Sequence, residues 1–357
     1  MLVIITEANT KNSIAIQREL SKNKSLLLIG VSNDKINIAQ IFKYCTHYFN
    51  GNLGDAVKYF KPDLIIPIGS LSVKTCSLYY RNISLLPDEE SLEIAFNKDK
   101  MTILNTLENV NYPNCTVVDT IEQLINYCID KDCVIKSANE TLLNFDPFYI
   151  SNGDVTNSSN FIKIRSLIDN GAKLLVQERV NGVARGFFCI ADKGVIAIYY
   201  MHERIRELPI TGGSSTAAES IYCEEMYNIS SEIINYLKWT GPLMIEYKYD
   251  QLNKKYNLIE LNPKFWGSLD LSYAIGFNFG KCLIDIYQNN FINPVKNNYQ
   301  VGVKFYWILD GDLVALFKRR EFFKIKDYFK KNAKNGLFES MQVDVIKFFW
   351  TLKKIIF

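Results

Sequence analysis

The sequence predicts an α/β chain, with a small parallel α/β domain first, two α+β lobes next and a helical, basic segment last. Three observations carry this. Apolar runs at 2–5, 26–29 and 64–68 alternate with helical spacing at 14–20 and 52–60, the pattern of a parallel sheet with helical crossovers. Later runs pair off as hairpins, 186–191 with 194–200, and 243–247 with 258–262 across the turn 250–255. From 318 to 334 eight Lys/Arg stand against two acidic residues. The expected divisions are 1–95, 96–295 with lobes of about 115–180 and 181–295, and 296–357.

Taking the elements in order, residues 2–5 begin the chain as a strand. The run has no basic stretch before it and no small-residue cleavage site after it, so it does not read as a targeting signal. No Gly-x-Gly-x-x-Gly follows this strand, which argues against a dinucleotide site. Gly69 and Ser70, after the third strand, stand at the carboxyl end of the sheet, where ligands of α/β proteins bind. Residues 96–130 read as helical with a break at Tyr112-Pro113, and 133–136 reads as a strand ending in Lys136. A lysine in an apolar strand must face an anion, because burying an unpaired ammonium is costly. Residues 174–182 form a strand running into a turn, 217–237 an amphipathic helix, 269–286 an apolar helix broken near Gly276, and 301–308 a strand.

Composition narrows the function classes. The chain has 357 residues, 48% hydrophobic and 22% charged, enough for two or three domains with a sizeable core. A net charge of +3 is too small to argue for a nucleic-acid partner. The eight cysteines include no Cys-x-x-Cys pair and read as buried free thiols of a reducing cytoplasm. Two histidines, His47 and His202, leave almost nothing for a His-rich metal site or a triad. No run approaches 18 apolar residues, so no transmembrane helix is expected.

The chemistry concentrates in residues 258–268. Glu260 and Asn262 are two apart on a strand and share one face. Glu246, on the preceding strand, can oppose Glu260 across the hairpin. Hard oxygen ligands of this kind suit Mg²⁺, with Mn²⁺ as the alternative, together with substrate phosphates. Upstream, Arg204 and Arg206 precede a Gly-Gly-Ser-Ser turn, a pairing of guanidinium forks and backbone N–H groups suited to anions.

The order Glu-x-Asn-Pro-Lys-x-x-Gly from Glu260 to Gly267, after the Glu246 strand, resembles the metal-binding end of the ATP-grasp fold. The stretch from His202 to Pro209, with Gly212 to Thr216, resembles elements of a subgroup of its carboxylate–amine ligases. The similarity spans roughly 97–290 and implies a two-lobed ATP-grasp fold behind the parallel domain. It implies ATP and Mg²⁺ as cofactors, with small-molecule carboxylate and amine substrates joined through an acyl phosphate. Glu246, Glu260 and Asn262 are the implied metal ligands. Lys100 (with Lys98 as fallback) and Lys136 are the implied phosphate lysines, and Gln177, Glu178 and Val180 the implied adenine and ribose contacts. Arg206, then Arg204, are expected at the transferring phosphate, and Lys264 stands where the family commonly has arginine. His202 is expected to be structural.

One departure supports a competing reading. The stretch 137–154 carries a single glycine, where many relatives have a Gly-rich phosphate loop, so an ATP-binding scaffold of little or no turnover is the alternative. The end of the chain leaves three readings open. The basic-aromatic pattern of 318–334 and 343–357 suits a helix packed on the body, peripheral contact at the inner membrane face, or an RNA contact.

Overall fold

A computed structural model gives the fold and describes residues 1–138, 147–209, 212–289 and 299–335. The first sheet holds β1 (Leu2–Ile5), β2 (Leu27–Ser32), β3 (His47–Asn50) and β4 (Leu64–Ile66). All pairs are parallel, in the order β3-β2-β1-β4. Its crossover helices are α1 (Lys11–Leu20) and α2 (Leu53–Phe60), and α3 (Ser70–Tyr79) follows β4. The Asn52 side chain accepts from the Asp55 N–H and fixes the start of α2. The β1 and β4 strands are apolar because both faces are covered. The order reverses between β1 and β4, and that crevice opens toward the rest of the chain.

Beyond α4 (Glu89–Phe96) comes an antiparallel sheet of β5 (Cys115–Val118), β6 (Cys133–Ser137), β7 (Phe148–Ile150) and β8 (Leu174–Glu178). Its order is β5-β8-β6-β7, with α5 (Ile121–Cys128) and α6 (Phe161–Asp169) on it. The third and largest sheet takes β9 (Val183–Asp192), β10 (Val195–Leu208), β11 (Ser214–Ile221), β12 (Gly241–Asp250), β13 (Lys255–Asn262), β14 (Lys304–Tyr306) and β15 (Ala333–Asn335). Their order is β13-β12-β9-β10-β11-β14-β15. Helices α7 (Glu224–Tyr236), α8 (Leu269–Ala274), α9 (Phe279–Tyr287) and α10 (Leu313–Arg319) complete it.

Burial divides the molecule differently from the three sheets. One continuous core joins the parallel sheet to the largest sheet, from Val3 and Ile65 through Phe187, Trp239 and Phe279. The antiparallel sheet has its own core of Leu124, Ile135, Phe148, Ile164 and Val176. All eight cysteines are free. Among the described residues no helix is long and apolar enough to cross a membrane.

Several local expectations are corrected. The polar strand β3 lies at the sheet edge, where only partial burial leaves no apolar run to read. The 96–130 stretch is a 3₁₀ turn at Lys100–Thr106, then β5, and only then a helix. The expected helix 217–237 begins at Glu224, because Ser214–Ile221 pairs between β10 and β14. Small residues such as Ala217 and Ala218 carry no period of their own, so sheet pairing decides their state. The strand expected at 301–308 shortens to Lys304–Tyr306. The stretch 343–357, and most of the loop after Lys136, lie outside the described residues.

Candidate active site

The site is built on a row of residues crossing the largest sheet. In register, Glu260 on β13 opposes Glu246 on β12, which opposes Gly186 on β9, which opposes His202 on β10. A bulge follows Glu246, where Tyr247 pairs with Leu258 and Ile259 is the extra residue. Bulges re-aim side chains, and here the two carboxylates and Asn262 stay on one face of the hairpin. A Cβ at Gly186 would stand 2.5 Å from the Phe188 ring and 3.3 Å from His202. The missing side chain thus makes room for Phe188, packed edge-on against His202 at 4.4 Å.

Each carboxylate faces a cation. Arg204 Nη2 lies 2.8 Å from Glu246 and Lys98 Nζ lies 3.3 Å from Glu260. Burial pushes the Glu246 carboxyl up, Arg204 opposes this, and the Glu260 charge adds to the rise. Burial also works against ionised Glu260, but Lys98, Lys136 and Lys264 together outweigh it and hold that carboxyl below its usual range. An oxygen-rich pair of facing carboxylates beside an amide fits a hard divalent cation. Among the described residues no group of three or more His, Cys, Asp or Glu could hold a metal, so any such ion here rests on two carboxylates and substrate oxygens.

Opposite this row stands the antiparallel lobe. Lys136, on β6, donates to Gln177 Oε1 on β8 at 2.7 Å. Burial, then repulsion from Lys98, lowers the Lys136 ammonium to about 8. Gln177 is buried, and its Nε2 has no hydrogen-bond partner among the described residues. Glu178 pairs with Lys131 at 2.8 Å. Between the lobes lies a cavity of about 1030 Å³, lined by Lys98, Lys136, Gln177, Glu178, Val180, Arg204, Glu246, Glu260, Asn262 and Lys264.

The parallel domain closes the third side. Glu7, Thr10, Lys11 and Gly69 line the same cavity. Glu7 has φ +46°, a conformation that costs an L residue energy and is held here by hydrogen bonds. Its carboxylate accepts from the Gly69 N–H at 2.9 Å and from Ser72 Oγ at 2.5 Å. Lys264 Nζ reaches Ser70 Oγ at 2.5 Å, and Asn12 donates to the Phe265 carbonyl at 3.0 Å. Those contacts tie the Asn-Pro-Lys turn to the first domain.

Two sequence-derived candidates lie apart from the facing carboxylates. Lys100 is outside the cavity and pairs with Glu93 at 2.5 Å on the surface, whereas Lys98 points inward. The chain leaves α4 in extended form at Asn97 and turns at Lys100, so these two lysines face opposite ways. Arg206 lies in the cavity wall, but Asp312 takes its Nε at 2.8 Å and its Nη2 at 2.6 Å. Asp312 also accepts from Thr216 and Tyr328, so Arg206 is committed to a buried cluster and Arg204 is the arginine beside the carboxylates. His202 is fully buried in the wall, and neither ring nitrogen has a partner among the described residues, against the expectation of a structural hydrogen-bonder. Burial and then Arg204 hold its pKa well below the usual value, so it is neutral. Glu7 was not singled out in the sequence. Its position directly after β1, at the carboxyl end of a parallel sheet, was the available signal.

Comparison with known proteins places this fold. No family model matches the chain, and no curated protein matches it. Solved structures do. N5-carboxyaminoimidazole synthetase from Staphylococcus aureus superposes with a TM-score of 0.69 at 11% identity, covering 89% of this chain and 85% of that one. The biotin carboxylase domain of Hydrogenobacter thermophilus 2-oxoglutarate carboxylase, solved with MgADP, ADP and bicarbonate, gives 0.66 at 13%, covering 85% and 73%. L-amino acid ligase from Bacillus licheniformis gives 0.62 at 13%, covering 82% and 77%. The chain has the ATP-grasp fold.

Proposed function

We propose that this protein is an ATP-dependent ligase that joins a small-molecule carboxylate to an amine through an acyl phosphate. The observation that carries this reading is the facing pair Glu246 and Glu260, each countered by a cation, at the meeting of three structural units. The neighbours support it, since one is a ligase of amino acids and another was solved with MgADP and bicarbonate.

Glu246, Glu260 and Asn262 would hold Mg²⁺, which would offset the negative charge of the substrate phosphates. Lys98, Lys136 and Arg204 neutralise the transferring phosphoryl group, in the place first given to Lys100 and Arg206. Gln177 offers its unpartnered amide donor, with Glu178 and Val180, to the nucleoside. A substrate carboxylate oxygen attacks the γ-phosphorus and ADP leaves. The amine nitrogen then attacks the acyl carbon, inorganic phosphate departs and the nitrogen loses a proton. Positioning and preorganised charge do the work, without a protein nucleophile. Glu7, from the parallel domain, and neutral His202, from the largest sheet, line the rest of the cavity, and a carboxylate at Glu7 favours a cationic or hydroxylated acceptor beside it over a phosphate.

A screen of amino acids and other small carboxylates, paired with amines, tests this through release of ADP and phosphate. Release that requires both substrates is expected. Nucleotide binding without release supports the scaffold reading instead, and release independent of both substrates overturns the ligase reading. Glu260→Gln should lower turnover by about 10²–10³-fold, the scale seen when a group aimed at developing charge is removed, with an unchanged circular-dichroism spectrum. Full activity in this variant removes the metal assignment.

A further inference from the structure

Independent of the ligase reading, one surface remains unaccounted for: the outer face of residues 313–335. Its inner side is firmly held. Ala315 and Leu316 are fully buried, and Tyr328 packs on Tyr306 at 5.0 Å and donates to Asp312 at 2.7 Å. Its outer side is apolar. Phe317, Phe323 and Phe329 are 62%, 66% and 75% exposed, with Phe322 and Val314 close to half exposed. Single exposed apolar residues are ordinary, but a cluster marks an interaction surface. The rings of Phe317 and Phe322 pack edge to face with centroids 4.7 Å apart, so at least these two form one patch.

Charge is concentrated in the same place. Residues 318–334 hold eight Lys/Arg and two acids, a net +6 in a chain whose total is +3, so the remainder is net negative. Both acids are already engaged, Glu321 with Lys324 at 2.9 Å and Asp327 with Lys330 at 2.7 Å. Six of the eight cations are lysines, whose long stems lie along apolar surface and whose ammonium groups bind phosphate without a fixed geometry.

We infer that this face docks on an anionic lipid bilayer, with the phenylalanines in the headgroup–acyl boundary and exposed cations such as Lys318, Arg320, Lys326 and Lys331 on lipid phosphates. Aliphatic Val314 and Ile325, exposed beside the rings, suit acyl chains and offer nothing to base stacking. The sequence beyond Asn335 repeats the composition, with Phe348, Phe349 and Trp350 beside Lys347, Lys353 and Lys354. Arg319 lines the catalytic cavity from the same helix, so the docking element and the cleft share a wall.

Vesicle co-sedimentation of the full chain tests this. Vesicles of phosphatidylcholine with about a third phosphatidylglycerol should pellet the protein, and pure phosphatidylcholine should not. Binding should fall several-fold in 0.5 M salt, as screening shortens the reach of the cations. The pair Phe323→Ser and Phe329→Ser should weaken binding at least tenfold, and the pair Lys326→Glu and Lys331→Glu similarly. Both variants should keep the wild-type melting temperature, since these side chains are exposed. Binding that ignores lipid charge, or wild-type binding in the phenylalanine pair, overturns the assignment. So does retention of single-stranded RNA in place of vesicles. A concentration-dependent dimer that the same substitutions abolish would make a second copy the occupant, and overturns it too.

Discussion

The two walls of the cleft are held together differently. The antiparallel lobe that carries Lys136 and Gln177 folds around its own core. The opposite wall shares one core with the parallel domain and is stitched to it by Asn12 to the Phe265 carbonyl, Arg18 to Asp270 and Lys264 to Ser70. One wall is therefore a free-standing unit on two connections, and the other is a fused platform. Separate cores make separate units of unfolding and of motion, because a rigid body moves where few apolar contacts cross its boundary. The difference teaches where closure over a nucleotide occurs. On the ligase reading, the lysine lobe is the part expected to move, with the carboxylates held on the platform.

The strongest break in this comparison is Phe279→Ala. Phe279 is fully buried at the head of α9, against Trp266 and Tyr200, where α9 packs on α1. Truncating a buried phenylalanine costs about 3–5 kcal/mol. The melting of the parallel domain and the large sheet should fall together, read by hydrogen exchange in β1 and β9, with the antiparallel lobe unaffected. Protection lost only in β9 would mean the platform is not one unit.

The converse is Leu124→Ala in the other core, expected to cost about 2–5 kcal/mol. Exchange should rise in β6 and β8 while β1 and β9 keep their protection. A single shared transition would remove the distinction between the walls.

Smaller effects sharpen it. Lys136→Met should cost about 1.5–3 kcal/mol of nucleotide affinity, the scale of a charge-assisted hydrogen bond, or roughly ten- to hundredfold in Kd. Titration calorimetry reads this, and an unchanged Kd would take the lysine lobe out of nucleotide binding. The mildest effect is in pH. The free Lys136 ammonium titrates at about 8, lowered by burial and by Lys98. A bound triphosphate favours its charged form, so the complex keeps a proton that the free protein loses as pH rises through that value. Affinity should be flat below about pH 8 and weaken above it, by no more than tenfold per pH unit for one proton. Lys136→Arg should abolish the dependence, because a guanidinium stays charged throughout.

Legibility followed chemical economy. The Glu246–Glu260 hairpin could be read because a polar pair on apolar strands is conspicuous, and because a hairpin turn dictates register locally. Lys136 stood out for the same reason, as a charge in an apolar strand. Lys100 and Lys98 could not be told apart. One residue, Asp99, separates them, and only the path of the chain after Asn97 turns one in and the other out. The bond from Arg206 to Asp312 was not legible, because Asp312 is more than a hundred residues away and carries no local signal.

The sequence by itself determined the fold class, the hairpin with its facing carboxylates and the identity of the apolar strands. Each of these depends on periodicity and neighbours within a few residues. Tertiary structure alone decided which cations meet those carboxylates, that Ser214–Ile221 is a strand, and that the parallel sheet merges its core with the platform. Those outcomes rest on long-range pairing, where the energy comes from partners that lie close in space and far apart along the chain.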